Sequence, residues 1–191
     1  MPATVGILSF QGDFAKHQQV LEKLRCQVRL IKSVEALNRV DCLIIPGGES
    51  SVIARFLKIE KMAQPIKEFA QHKPIWGTCA GMILLGRSII DDNKAQPLGL
   101  IDIITARNAY GRQYESFVGT GEFGACGEKE EMEMVFIRAP KVIKIGKDVE
   151  ILGRWQDEIT IVRQDKVVAT AFHPELSAST RFQEFFLSLL H

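Results

Sequence analysis

Cysteine is scarce in this sequence: Cys26, Cys42, Cys79 and Cys126 are the four among 191 residues. None is spaced as Cys-x-x-Cys or set against histidine at metal-ligand spacing, so neither a disulfide framework nor a metal site is indicated. An excess of charge of one sign is lacking too. The formal net charge is +1, and basic residues such as Lys58 and Lys61, or Lys141 and Lys144, are interleaved with acids. Nothing here gives the long-range field that nucleic acid or an anionic membrane surface would require. No apolar run approaches the roughly 18 residues that span a bilayer. The opening MPATVGILSF has no basic leader segment, so a cytoplasmic location is expected. Repeats, low-complexity tracts and linkers are missing as well, and one domain over residues 1–191 is expected. The composition that remains, 46% hydrophobic and 25% charged, is that of a globular chain able to bury a core.

The first half alternates strand and helix patterns. TVGILSF (4–10) is a β-rich apolar run ending at Gln11-Gly12, and Asp13 can cap a helix with Phe14, Val20, Leu21 and Leu24 on its apolar face. CQVRLIK (26–32) and DCLIIPGG (41–48) read as two further strands. The continuous apolar character of the latter fits a parallel strand covered on both faces. Cys26 and Cys42 read as core residues of these runs, and Cys126, in GACGEKEE, as a loop thiol. After PGGESS (46–51), Ser50 or Ser51 can cap the helix VIARFL, and MAQPIKEFAQH (62–72) forms another amphipathic helix. This order predicts a parallel sheet with right-handed crossovers.

From Pro97 the texture changes. IDIITARNAYGRQYESFVG (101–119) alternates, whereas GTGEFGACGEKEEMEM (119–134) is loop-like and acidic. MVFIRAP, VEILGRW, EITIVRQ and KVVATAFH are short strands separated by turn signals such as Gln156-Asp157 and Gln164-Asp165. An antiparallel extension at one edge of the parallel sheet is expected, closed by a helix over STRFQEFFLSLL (179–190).

The chemistry centres on KPIWGTCAGMILLG (73–86). A buried strand runs into Gly77-Thr78-Cys79-Ala80-Gly81, the cysteine counterpart of the nucleophile elbow, and a buried helix follows. Cys79 then stands at a helix N-terminus, where unpaired N–H groups and the helix dipole favour thiolate, the nucleophilic form. Carboxyl ends of parallel strands share one edge of a sheet, so Gln11, PGGESS and Cys79 should converge there.

A cysteine nucleophile needs a base that is itself oriented by a third group. His72 precedes a proline at a helix end, His191 is the last residue, and His17 takes a surface or helix-packing position on the first helix. His173 is different, because it ends an apolar strand and precedes Pro174-Glu175. Glu175 can accept the second ring N–H and hold the imidazole in the useful tautomer. On this reading neutral His173 is the base, and activity should fall as it protonates at acid pH.

GTCAGM followed far downstream by HPE resembles the class I (triad) glutamine amidotransferases, whose fold is a flavodoxin-like α/β three-layer sandwich. Within that superfamily, PGGESS, RNAYGRQ (107–113), FIRAP (136–140) and VGILSFQGDFAKH (5–17) resemble the glutaminase subunits of pyridoxal 5′-phosphate synthase, the PdxT/SNO family. The likeness covers nearly the whole chain. It implies hydrolysis of L-glutamine to L-glutamate and ammonia, with ammonia passed to a synthase subunit (PdxS/SNZ type, with a dodecameric ring core) that builds pyridoxal 5′-phosphate. It implies no cofactor and no metal. Residue by residue, it makes Cys79 the nucleophile and His173 and Glu175 the rest of the triad. Gly48, Glu49, Ser50, Arg107, Ile137 and Arg138 match glutamine-binding positions. The physics agrees, since a zwitterionic amino acid calls for an acid and an arginine. The oxyanion donors are the Ala80 N–H and an N–H of Gly47 or Gly48. The resemblance also implies that the free subunit is a poor glutaminase until the synthase docks and the PGG peptide reorients; separately, the predicted position of Gln11 and the first helix near the same sheet edge makes them candidate docking elements. Tyr114-Glu115 and the acidic stretch 124–131 depart from the family pattern.

Three other readings are weaker. A subunit feeding imidazole glycerol phosphate synthesis is opposed by PGGESS and GRQ. A binding module that has lost its chemistry is opposed by the intact Cys79, His173 and Glu175. A peptidase or chaperone of the DJ-1 type shares the elbow cysteine but not HPE.

Overall fold

The computed structural model describes residues 2–90, 94–107, 116–124 and 129–191. Cys126, Tyr114-Glu115 and most of RNAYGRQ lie outside them. Apolar residues at alternate positions build a central sheet with two buried faces. Strands β1 (Thr4–Leu8), β2 (Gln27–Ile31), β3 (Cys42–Ile45), β4 (Ile75–Thr78) and β12 (Val167–Thr170) pair in parallel in the order β2-β1-β3-β4-β12. The sheet continues antiparallel through β11 (Glu158–Gln164), β10 (Glu150–Trp155), β7 (Ser116–Phe123) and β8 (Glu130–Ile137). This is the mostly parallel sheet with an antiparallel edge that the strand patterns predict.

Period-two alternation sends neighbouring residues to opposite layers. Leu43, Ile45 and Ile75 face α3 (Ser50–Ile59) and α4 (Ala63–Ala70), where Ile53, Leu57, Ile66 and Phe69 complete one core. Cys42, Ile44 and Trp76 face the other way, toward Leu21 of α1 (Phe14–Lys23) and Phe182 and Phe186 of α6 (Arg181–Ser188). The result is a three-layer α/β sandwich. The Trp76 ring sits 4.8 Å from Phe182 and 5.6 Å from Phe186, centroid to centroid. Aromatic pairs at that spacing contribute about 0.5–1.5 kcal/mol each beyond area burial.

Several elements were not legible in the sequence pattern. A four-residue helix α2 (Val34–Leu37) follows β2, capped by Ser33, whose side chain accepts from Ala36 N–H at 3.3 Å. The short strands β5 (Ser88–Ile90), β6 (Ile103–Ala106) and β9 (Lys141–Ile145) form a second, three-stranded sheet. The largest correction concerns GTGEFGACGEKEEMEM. Residues 119–123 and 130–134 of it are not loop but strand, in β7 paired antiparallel with β8 from Ser116↔Ile137 to Phe123↔Glu130. Glutamates and glycines hid the strands, yet Met132 and Met134 are buried between exposed Glu131 and Glu133, and Gly119 is small because the Trp155 indole lies on it. The expected serine cap of α3 is also absent. Glu49 occupies the N-cap without a side-chain cap bond, and Asp13 likewise precedes α1 without capping it.

Candidate functional site

The elbow forms because its glycines touch. A Cβ on Gly77 would come within 2.6 Å of the Gly81 backbone, and one on Gly81 would collide with the Ile45 carbonyl. Cys79 between them adopts φ 50°, ψ −101°, an uncommon conformation for a side-chain-bearing residue. Its N–H donates to the Thr170 carbonyl at 2.8 Å. The buried helix α5 (Ala80–Leu85) begins at the next residue, so the Ala80 N–H falls in a first turn, where amides have no intrahelical acceptor. The Cys79 thiol lies 3.7 Å from the Ile137 carbonyl, toward which it donates.

β12 runs beside β4 and delivers His173 to the same sheet edge. The His173 N–H donates to the Val135 carbonyl at 2.8 Å, which draws β8 over the site and brings Ile137 and Arg138 with it. His173 Nδ1 is 2.7 Å from Glu175 Oε1, and Glu175, on the 3₁₀ turn Pro174–Leu176, is 3% exposed. Burial opposes a charge on His173, but its hydrogen bonds to the Cys79 sulfur and to Glu175 outweigh burial and lift its pKa to about 10. Burial likewise pushes the Glu175 carboxyl up, while His17 and His173 facing it hold it below the usual carboxylate range. Both neighbours therefore favour the imidazolium form of the ring. That direction runs against the expectation of a neutral base lost at mildly acid pH, and the pH profile of hydrolysis decides between the two.

A cleft of about 290 Å³ opens over these groups. Cys79, Ala80 and His173 form its floor, and Gly47, Gly48, Glu49 and Ser50 one wall. Arg107, Ile137 and Arg138 line it as well. Every residue singled out from the sequence thus lines the cleft or, for Glu175, lies directly behind His173. Glu49 and Arg107 form an ion pair, and the Ser51 hydroxyl donates to Glu49 at 3.0 Å. These bonds hold the Glu49 carboxyl below its ordinary value although partial burial acts the other way. Gly47 has no room for a side chain, since a Cβ would lie 2.5 Å from His173 Cε1. Its carbonyl accepts from the Asp13 N–H at 3.2 Å, and Gln11 Oε1 accepts from the Glu49 N–H at 2.8 Å. Gln11 is therefore part of the cleft wall.

Three residues escaped the sequence reading. Asp13 and Ile83 line the cleft, the latter one helical turn past Cys79. His17 is not at the surface: it is 1% exposed and stands 3.5 Å from Glu175 Oε1. Its spacing with Phe14, Leu21 and Leu24 along α1 is the inward-facing period that would have flagged it. His72 and His191 are exposed.

A cysteine elbow, an acid-oriented imidazole and adjacent backbone donors are the parts needed for acyl transfer from an amide, and the surrounding fold is that of the glutamine amidotransferases. A solved glutamine amidotransferase superposes with a TM-score of 0.92 at 36% identity, covering 97% of this chain and 98% of that one. PurLQS from Thermotoga maritima shares the fold alone, with a TM-score of 0.76 at 18% identity over 100% of this chain and 99% of that chain. More specifically, the chain belongs to the SNO glutamine amidotransferase family, whose sequence profile matches residues 7–190. Similar proteins include the pyridoxal 5′-phosphate synthase subunits PdxT of Herpetosiphon aurantiacus, 45% identical over 97% of this chain and 100% of that protein, and of Thermosipho africanus, 42% identical over 97% and 98%.

Proposed function

We propose that this chain hydrolyses L-glutamine to L-glutamate and ammonia through Cys79, His173 and Glu175, and hands the ammonia to a synthase subunit that makes pyridoxal 5′-phosphate. The observation that carries this reading is the line from the Cys79 sulfur through His173 to Glu175, at the floor of a cleft that also holds an acid and an arginine. Cys79 attacks the side-chain amide carbon through its sulfur, its proton having passed to His173, and the oxygen takes the negative charge. The Ala80 N–H and an N–H of Gly47 or Gly48 receive that oxyanion, each donor contributing about 3–4 kcal/mol to the transition state. His173 passes its proton to the leaving nitrogen, the C–N bond breaks, and ammonia departs from a thioester. Neutral His173 then takes a proton from water, hydroxide adds to the thioester, and glutamate leaves as the thiolate reforms. Glu49 and Arg107, which pair with each other in the cleft, exchange that pairing for the ammonium and carboxylate of the substrate, with Ser50, Ile137 and Arg138 completing its enclosure.

Partner docking fits the same frame. The Asp13 N–H to Gly47 carbonyl bond pins the peptide that must turn to present an oxyanion donor, and a partner shifting the start of α1 would release it. The whole chain serves as one domain in this reading, the partner core is a dodecameric ring, and the setting is the cytoplasm. Among the described residues no helix is long and apolar enough to cross a membrane. The test is ammonia release from glutamine by this chain with and without the synthase subunit. Release that rises on adding the partner and vanishes in Cys79→Ala supports the reading; no release by the wild-type complex overturns it.

A further inference from the structure

His17 is a buried titratable group that the steps above do not use. It projects from the second turn of α1 into the sheet, edge-on to Trp76 with ring centroids 5.1 Å apart and an interplanar angle of 83°. Its Nε2 lies 3.5 Å from Glu175 Oε1, the oxygen that also meets His173 Nδ1, and 3.5 Å from Thr78 Oγ1. Its Nδ1 is buried with no hydrogen-bond partner among the described residues. The tautomer with the proton on Nε2 suits this setting better, although the Thr78 hydroxyl could also donate to a bare Nε2. A proton on Nε2 faces the carboxylate and leaves a bare Nδ1 lone pair among apolar atoms. A proton on Nδ1 would bury an unpaired donor and point a lone pair at an anion, which costs more.

The groups facing the ring are Glu175 and His173 from the strand-end turn, Asp13 at the start of its own helix, and Thr78 and Trp76 from β4. Burial holds the His17 pKa below its ordinary value against the pull of Glu175, and His173 adds to burial while Asp13 opposes it. A packing residue alone would be better served by leucine or phenylalanine here, because the polar atoms of an imidazole are expensive to bury. Its polar edge is turned toward the triad acid.

We propose that His17 is a positioning residue: its Nε2–H, 3.5 Å from both Glu175 Oε1 and Thr78 Oγ1, faces the carboxylate and holds it against His173 Nδ1. Resting on the Cys79–His173–Glu175 reading, this assigns α1 two tasks, since the same helix begins at Asp13, which holds the Gly47 carbonyl. Without the His17 donor, Glu175 is free to rotate on its own side chain, and His173 loses the partner that orients it and supports its charge. His17 is buried and does not line the cleft, so substrate binding is spared.

The experiment uses the chain complexed with its synthase partner and compares wild type, His17→Phe, His17→Gln and Cys79→Ala for glutamine hydrolysis across pH. His17→Phe keeps the ring volume and removes the donor. Its kcat is expected to fall about 10-fold or more with KM for glutamine within about twofold, and the alkaline limb of kcat/KM to move to lower pH. His17→Gln, which can return an N–H to the same place, is expected to recover most of the rate. A folded His17→Phe with wild-type kcat and an unmoved limb overturns the proposal. If His17→Phe does not fold, nitrogen-15 NMR of histidine-labelled wild type decides: a neutral Nε2–H tautomer from about pH 6 to 8 supports the assignment, and an imidazolium or Nδ1–H form overturns it. Full activity in Cys79→Ala would sink the triad reading and this inference with it. An inactive Cys79→Ala beside an unaffected His17→Phe would sink the inference alone.

Discussion

The N–H of Cys79 donates to the carbonyl of Thr170 at 2.8 Å, continuing the parallel ladder that pairs Thr78 with Thr170. Sulfur and imidazole are consequently positioned by adjacent strands of one sheet, not by two independent loops. Sites carried on rigid elements hold their geometry more closely than sites on loops. A second bond from the same strand reinforces the arrangement, because the Trp76 indole N–H donates to Thr170 Oγ1 at 3.1 Å.

The proton on His173 sets the pH dependence. Its raised pKa, about 10, means the ring is protonated below that value and loses its proton as pH climbs through it. Imidazolium is the form that can protonate the departing nitrogen. Hydrolysis by the complex should hold through neutral pH and decline on the alkaline side near pH 10. A pH profile of kcat/KM checks this, and a decline already complete by pH 8 contradicts it.

Gly47 should tolerate no side chain. In Gly47→Ala the new methyl would meet the His173 ring at 2.5 Å from Cε1, so either the imidazole leaves the sulfur or the PGG segment backs away. Both outcomes damage acyl transfer. We expect kcat/KM to drop about 100-fold, roughly 2.7 kcal/mol in the transition state, with thermal unfolding little changed. Steady-state kinetics alongside a melting curve separates the two, and unaltered kinetics refutes the contact.

Apart from α2, the strand and helix alternation of residues 4–85 was legible from short apolar runs and amphipathic helix faces, and the shared edge of parallel strands then located the cleft. Cys79, His173 and Glu175 were legible for the same reason: each sits at a strand end with flanking glycine or proline. The β7–β8 hairpin was not, because glutamate and glycine obscure an alternation that only Met132, Met134 and Trp155 make sense of once paired. His17 was hidden differently. A helix pattern marks which face turns inward, but not that the inward face meets the turn after β12, whose partner strand β4 lies in the middle of the chain.

The aromatic cluster under the site predicts a stability effect distinct from catalysis. Phe182 is fully buried against Trp76 and Phe123, with ring centroids 4.8 and 5.4 Å away. Phe182→Ala should cost about 3–5 kcal/mol of folding free energy, through lost transfer energy and the cavity left behind. Urea unfolding measures it, and a loss under about 1 kcal/mol would mean that α6 is not a structural layer of this core.

The account stands on Cys79 being the activated thiol, and covalent trapping tests that most directly. The complex is treated with a chloroketone or diazo analogue of glutamine and its peptides are mapped by mass spectrometry. The expected result is one adduct, on Cys79, formed in step with loss of glutamine hydrolysis and prevented by excess glutamine. Complete loss of hydrolysis with Cys79 unmodified, or full hydrolysis with Cys79 fully alkylated, would contradict it.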